Sequence, residues 1–159
     1  MANYTPITIL GYKKLKDKLY DLKNFKRKKI IDDIKKARQH GDLKENAEYH
    51  AARNEQSFCE GKIKEIENKL SNVNIIDITK IPNKNKVVFG VTVSILNTKT
   101  KKKFVYKIVG EDEANFKNNF ISVISPISRG LIGKFVGDNV LINTPKGKMK
   151  YKIIKVEHI

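Results

Sequence analysis

Two carboxylates three residues apart, Asp42 and Glu45, are the side chains of this sequence best suited to chemistry, and Gly41 stands directly before them. Carboxylates close together are hard oxygen ligands of the kind Mg2+ prefers. They lie in Gly41-Asp42-Leu43-Lys44-Glu45-Asn46, between helical patterns over 10–39 and 45–73. Gly41 takes a left-handed backbone at no steric cost and so marks a helix stop. The same acids also have a structural reading, with Asp42 as N-cap and Glu45 completing a capping box that starts the second helix. A pair of acids at a hairpin tip forms no pocket, excludes no water and offers too few ligands to hold a metal unaided. Such a tip can complete a site that another molecule brings, of the two-metal phosphoryl-transfer kind in which a water must be oriented.

Two helices have to position that tip. In the first, Leu15, Leu19 and Leu22 are followed by Ile30, Ile34 and Ala37; in the second, Ala47, Ala51, Asn54 and Phe58 precede Cys59, Ile63, Ile66, Leu70 and Val73. Each series slips by one residue midway, as expected of a straight 3.6-residue helix set against a 3.5-residue repeat. Helices joined by a tight turn, neither able to bury its stripe alone, pack antiparallel. At ~1.5 Å per residue the first is roughly 45 Å long. Residues 1–76 are thus expected to form an antiparallel coiled-coil hairpin with its acidic tip at 41–46.

From Asn74 the pattern changes, with Pro82-Asn-Lys-Asn reading as a linker. Alternating β-branched runs follow at Val87–Leu96, Lys103–Val109, Phe120–Ile124, Val140–Asn143 and Met149–Val156. Asn97–Lys103 and Thr144-Pro-Lys-Gly read as hairpin turns, and Ser128–Lys134 as one helical turn. Residues 77–159 form a second, β-rich domain, and the fold class is α+β.

Composition narrows the function. No Walker loop, dinucleotide motif, zinc spacing or nucleophile elbow occurs. His40, His50 and His158 are scattered, and the single Cys59 reads as a small buried hydrophobe in a reducing, cytoplasmic protein. The N-terminus lacks a basic-then-apolar leader pattern, and no apolar run is long enough for a membrane span. The net charge of +16 points to a polyanionic partner. Of the 33 basic residues 29 are Lys, beside 21 Ile and 15 Asn, a pattern that AT-rich codon bias also produces. Within 11–38, twelve basic residues face four acids, and Lys26-Arg27-Lys28-Lys29 fills a helical turn. These four are the candidate RNA-binding cluster; a solvated basic face is the alternative.

Four motifs carry a resemblance. Ala37–Ala52, with Gly41-Asp42-Leu43-Lys44-Glu45-Asn46-Ala47-Glu48-Tyr49 at its centre, is similar to the tip of bacterial transcript-cleavage factors of the Gre family. The following Phe58–Glu67 resembles the A-type members. Ile108–Ala114, Ile121–Lys134 and Thr144-Pro145-Lys-Gly147 with Tyr151 match further along, so the likeness spans the chain. It implies a C-terminal domain of the FKBP-like class and a monomeric factor, not itself an enzyme, acting on bacterial RNA polymerase. Its hairpin would enter the polymerase secondary channel and stimulate cleavage of backtracked RNA near the nascent 3′ end. Asp42 and Glu45 occupy the family's catalytic positions, as ligands to Mg2+ held jointly with the polymerase and not by the isolated protein. Leu43 would make an apolar tip contact, and Ser125-Pro126 would dock the C-terminal domain. Lys44 stands where many members carry a small polar residue.

Two other readings remain. One is a channel-binding regulator that inhibits without stimulating cleavage; the Asp-x-x-Glu pair speaks for cleavage. The other is a nucleic-acid-binding coiled coil with a prolyl-isomerase-like domain, for which no pocket residues are visible.

Overall fold

Residues 4–41 and 45–159 are described by a computed structural model. In chain order the elements are β1 (Thr5–Thr8), α1 (Ile9–Asp21), a π-helical turn (Leu22–Lys26), α2 (Arg27–Arg38), α3 (Ala47–Ser71), β2 (Val73–Ile76), β3 (Thr92–Asn97), β4 (Lys103–Val109), β5 (Phe120–Ser122), α4 (Pro126–Leu131), β6 (Asn139–Thr144) and β7 (Gly147–Glu157). Two compact units result. One is Tyr12–Val73; the other combines the described residues of Asn3–Gly11 with Asn74–Ile159.

The first unit is a helical hairpin with a continuous apolar seam. On α3 its positions are Tyr49, Ala52, Gln56, Cys59, Ile63, Ile66 and Leu70, all buried or half-buried. That is an unbroken 3–4 alternation, so the slip expected within the second helix does not occur. Ala47, Ala51 and Asn54 face solvent instead, and Phe58 is 64% exposed. Cys59 is buried, as its apolar position suggested.

The first helix does slip, and the cause is local. Leu22 and Ile30 are eight residues apart where a heptad allows seven. The extra residue is absorbed in Leu22–Lys26, where the Arg27 N–H donates to Leu22 O, five residues back. Asn24 Nδ2 donates to Tyr20 O at 3.0 Å, giving that carbonyl a side-chain partner at the wide turn. Ile30, Ile34 and Ala37 therefore return to the seam, buried with Ala52, Cys59 and Ile63 of α3. Lys23–Glu67 (2.8 Å) and Arg27–Glu60 (2.7 Å) cross between the helices at its edge.

A deletion tests this account. Removing Asn24 makes the seam spacing a regular heptad, so the π turn should become α-helical and the melting temperature should hold or rise. Removing Asp33 instead rotates Ile34 and Ala37 by ~100° away from α3. Losing their burial should cost about 2–5 kcal/mol. Equal losses in the two deletions, read by circular-dichroism melting, would refute the insertion account.

In the second unit, β1 and β2 form a two-stranded sheet and the other strands a five-stranded sheet of order β5-β4-β3-β7-β6. The strand expected over Val87–Leu96 begins only at Thr92, because Gly90 (φ +91°) breaks the extended run. β4 falls where the alternation placed it. β5 is shorter than expected and lies parallel to β4, since the Ser122 carbonyl accepts the Ser125 N–H and turns the chain into α4. Four residues are too few to show a period, so β1 and β2 were not legible; both lie within 1–76, the span expected to form the coiled-coil hairpin. Alternate residues of β3, including Val93 and Ile95, point into a core with Val87, Ile108, Leu131, Ile142 and Ile153.

The Ile108–Ala114 motif has a structural basis. The Glu113 carboxylate accepts the Gly110 N–H (2.9 Å), the Thr8 N–H (3.2 Å) and the Thr8 hydroxyl. Gly11 leaves room for that carboxylate, which a Cβ would strike. An anion beside the first turn of α1 also meets the positive end of the helix dipole.

Candidate functional site

At the hairpin tip α2 ends at Arg38, and the His40 N–H reaches Ala37 O at 3.1 Å. Gly41 has φ +133°, a backbone that only glycine takes without strain, as its role of helix stop required. Asp42, Leu43 and Lys44, on which one of the expected catalytic acids and the expected apolar contact fall, lie outside the described residues. Glu45 is exposed in a turn.

The cap of α3 differs from the sequence expectation. Asn46, not Asp42, is the N-cap: its Oδ1 accepts the Tyr49 N–H at 3.1 Å, with backbone at φ −86° and ψ 99°. No capping box is built on Glu45, because the helix starts two residues beyond it. Asn46 has a second bond, Nδ2 donating to Ala37 O at 2.6 Å. One amide thus starts α3 and ties it to the last turn of α2. This residue was missed; the signal available was Asn directly before the Ala-Glu-Tyr helical run.

The surroundings are tight and open to solvent. Ala37 and Ala52 are the buried positions nearest the tip, and alanines let two helix backbones approach closely. The Arg38 guanidinium lies 5.9 Å from the Tyr49 ring centroid. His40, Glu45, Asn46, Ala47 and Glu48 line a shallow depression of about 540 Å³. Among the described residues no three His, Cys, Asp or Glu side chains converge on a metal position.

The other expected site residues lie elsewhere. Arg27 is held bidentately by Glu60, at 2.7 and 2.8 Å, an ion pair that raises its pKa. Lys26, Lys28 and Lys29 are exposed. The structure therefore divides the basic cluster into one paired Arg and three outward Lys. Ser125 is the N-cap of α4, its Oγ accepting the Ser128 N–H at 3.2 Å, with Pro126 at the first helical position. That cap starts the helix at Pro126, two residues before the expected turn. Pro126 and Ile124 are exposed beside it.

A helical hairpin with an acid-bearing turn, followed by a β-rich domain, defines a class that comparison makes specific. Residues 5–75 match the family model for the N-terminal part of transcription elongation factors, and residues 82–158 match the GreA/GreB C-terminal model. The chain belongs to the GreA/GreB transcription elongation factor family. Similar relatives include transcription elongation factor GreA of Buchnera aphidicola subsp. Schizaphis graminum, 60% identical over 159 residues, all of both chains. GreA of Yersinia pestis is 59% identical over 154 residues, 97% of this chain and 98% of the relative. Among solved structures, GreA factor homolog 1 of Thermus thermophilus is 23% identical with a TM-score of 0.43, covering 98% of this chain and 99% of that one. Among the described residues no helix is long and apolar enough to cross a membrane.

Proposed function

We propose that this chain binds bacterial RNA polymerase as a monomer in the cytoplasm, inserts its hairpin tip into the secondary channel and stimulates cleavage of backtracked RNA. The observation that carries the reading is the exposed Glu45 in the turn that ends a long two-helix hairpin. Glu45, and Asp42 before it in sequence, are oxygen donors that fit a Mg2+ ion held jointly with polymerase acids. When bound there, the ion supplies Lewis acidity that eases deprotonation of a coordinated water. The chain's own part is to add negative charge and hydrogen-bond acceptors that orient the water. Leu43 contacts the channel wall, Pro126 and Ser125 dock the second unit, and Lys26, Lys28 and Lys29 face the RNA near its 3′ end. The polymerase holds the reacting phosphate, so the factor itself is an accessory rather than an enzyme.

A reconstituted backtracked elongation complex tests this. Adding the protein should speed appearance of the cleaved 3′ fragment, whereas labelled RNA with protein and Mg2+ but no polymerase should stay intact. Cutting without polymerase would overturn the accessory role. Binding that blocks the channel with no gain in cleavage would establish the inhibitory regulator instead.

A further inference from the structure

The strongly exposed aromatic rings of the helical hairpin gather at one level. Tyr20, Phe25 and Phe58 are 60–64% exposed, whereas Tyr12 and Tyr49 are half-buried. Tyr20 and Phe25 meet edge to face, with ring centroids 6.0 Å apart. Cys59 Sγ lies 3.9 Å from Leu22 O, which sets the neighbouring Phe58 level with them. The ion pairs Lys23–Glu67 and Arg27–Glu60 mark one edge of the seam. Phe58 and Glu60 flank Cys59 at ~100° on either side, so Phe58 falls on the opposite edge. There Lys18, Asp21, Leu22, Phe25, Lys26 and Lys29 line a mostly apolar hollow of about 380 Å³.

The π turn creates this arrangement. Residues five apart stand ~140° apart on an α-helix, too far round for their rings to meet. The widened turn over Leu22–Lys26 swings Phe25 back toward Tyr20. A regular heptad would hold the seam without the extra residue, so packing gives no reason for it, and single π turns recur at functional sites. One exposed ring needs no explanation, but three beside an apolar hollow mark an interaction surface.

On the proposed reading, on which this inference rests, the hairpin enters a polymerase channel. The shaft at Phe25, roughly 20 Å from the end of α2, then has a protein wall beside it. We infer that Tyr20 and Phe25 anchor the shaft by receiving an apolar side chain of that wall in the hollow, which fixes how deeply the tip sits. The chemistry here favours protein over RNA. Bases stack on open ring faces, whereas these two rings meet at 67° and form a corner, beside the half-buried Leu22. Interface cores are apolar and aromatic with polar rims. The stems of Lys26 and Lys29 belong to the rim while their ammonium groups stay in water, free for RNA. Lys18 has no ion-pair partner among the described residues and favours a wall with carboxylates beside its apolar group.

The test uses the reconstituted backtracked complex and reads two quantities, the protein concentration at half-maximal cleavage and the rate at saturation. Tyr20 and Phe25 changed together to Ala should raise the half-maximal concentration by about 10-fold or more, the scale of an interface anchor. The saturating rate and the melting temperature should stay nearly as in wild type. Phe25→Leu should keep part of the affinity. Ile31→Ala trims apolar surface from the ion-pair edge and should change neither reading. A photo-crosslinking phenylalanine analogue at position 25 should join to a polymerase subunit. An unchanged half-maximal concentration beside normal wild-type stimulation would overturn the anchor and leave the proposed function standing. A wild type that neither binds polymerase nor stimulates cleavage would overturn both. Crosslinking to RNA, or a loss seen only with long extruded RNA, would put RNA in the hollow and overturn the protein wall as its occupant.

Discussion

Changing Glu45 or Asp42 to Ala is expected to cut stimulated RNA cleavage by on the order of 100-fold or more while leaving polymerase binding and thermal stability nearly unchanged. Under the proposed function the substitution removes a charge from a reacting centre, where preorganised electrostatics carry much of the rate. The sequence alone offers a competing outcome. A capping role would make each substitution cost about 0.5–2 kcal/mol and weaken every property together. Placement of the cap at Asn46 removes that outcome, since α3 starts at Ala47 without a carboxylate at its N-cap. Glu45 is exposed, and exposed substitutions away from caps and cores move stability by about 0.5 kcal/mol or less. Cleavage rates, competition binding to polymerase and melting curves on the same preparations separate the two. Glu45→Gln keeps the shape and loses the charge, and should fall with Glu45→Ala. A Glu45→Ala variant that loses stability and cleavage in step would return the acids to a structural role.

Asn46→Ala should give the reverse profile, a marked loss of stability with both acids still present. The substitution deletes the acceptor for the Tyr49 N–H and the donor to Ala37 O. A lost cap costs about 1 kcal/mol and a lost partly buried hydrogen bond about the same. Together, about 2 kcal/mol should lower the melting temperature by several degrees and fray the tip first. Cleavage should then weaken because the carboxylates are no longer held in place, recovering in part on cooling. Asn46→Asp separates the two bonds, keeping the acceptor for Tyr49 while losing the donor to Ala37. It should fall between wild type and Asn46→Ala. Hydrogen exchange at the Tyr49 amide reads the local effect. Wild-type protection of that amide in Asn46→Ala would show that Asn46 holds nothing.

Burial periodicity explains why much of the architecture was legible. Leu15, Leu19, Ile30, Ile34, Ile63 and Ile66 mark two faces that neither helix can leave in water, and Gly41 supplies the break between them. The alternation over Lys103–Val109 is a local property of one strand and survived intact. The acids at the tip could be singled out as candidates for chemistry because their residue types and their place between two helices are written in the chain.

Which hydrogen bonds form was decided by the tertiary structure. Asp42 and Asn46 are both good cap residues by type, and Asn46 is the one that can serve α3 and reach Ala37 O at once. Arg27 and Lys26 look alike in a basic run until packing brings Glu60 to the first of them. The one-residue slip in the first helix is visible as a spacing of eight, yet its resolution as a π turn depends on the seam of α3 holding both flanks in phase. Likewise the lysines of 99–103 and 146–152 are about fifty residues apart in sequence, and strand register alone gathers them at one end of the sheet. Sequence determined which residues must be buried and where the chain must turn, because burial and backbone preference act locally; folding decided which polar groups meet, because their partners lie far along the chain.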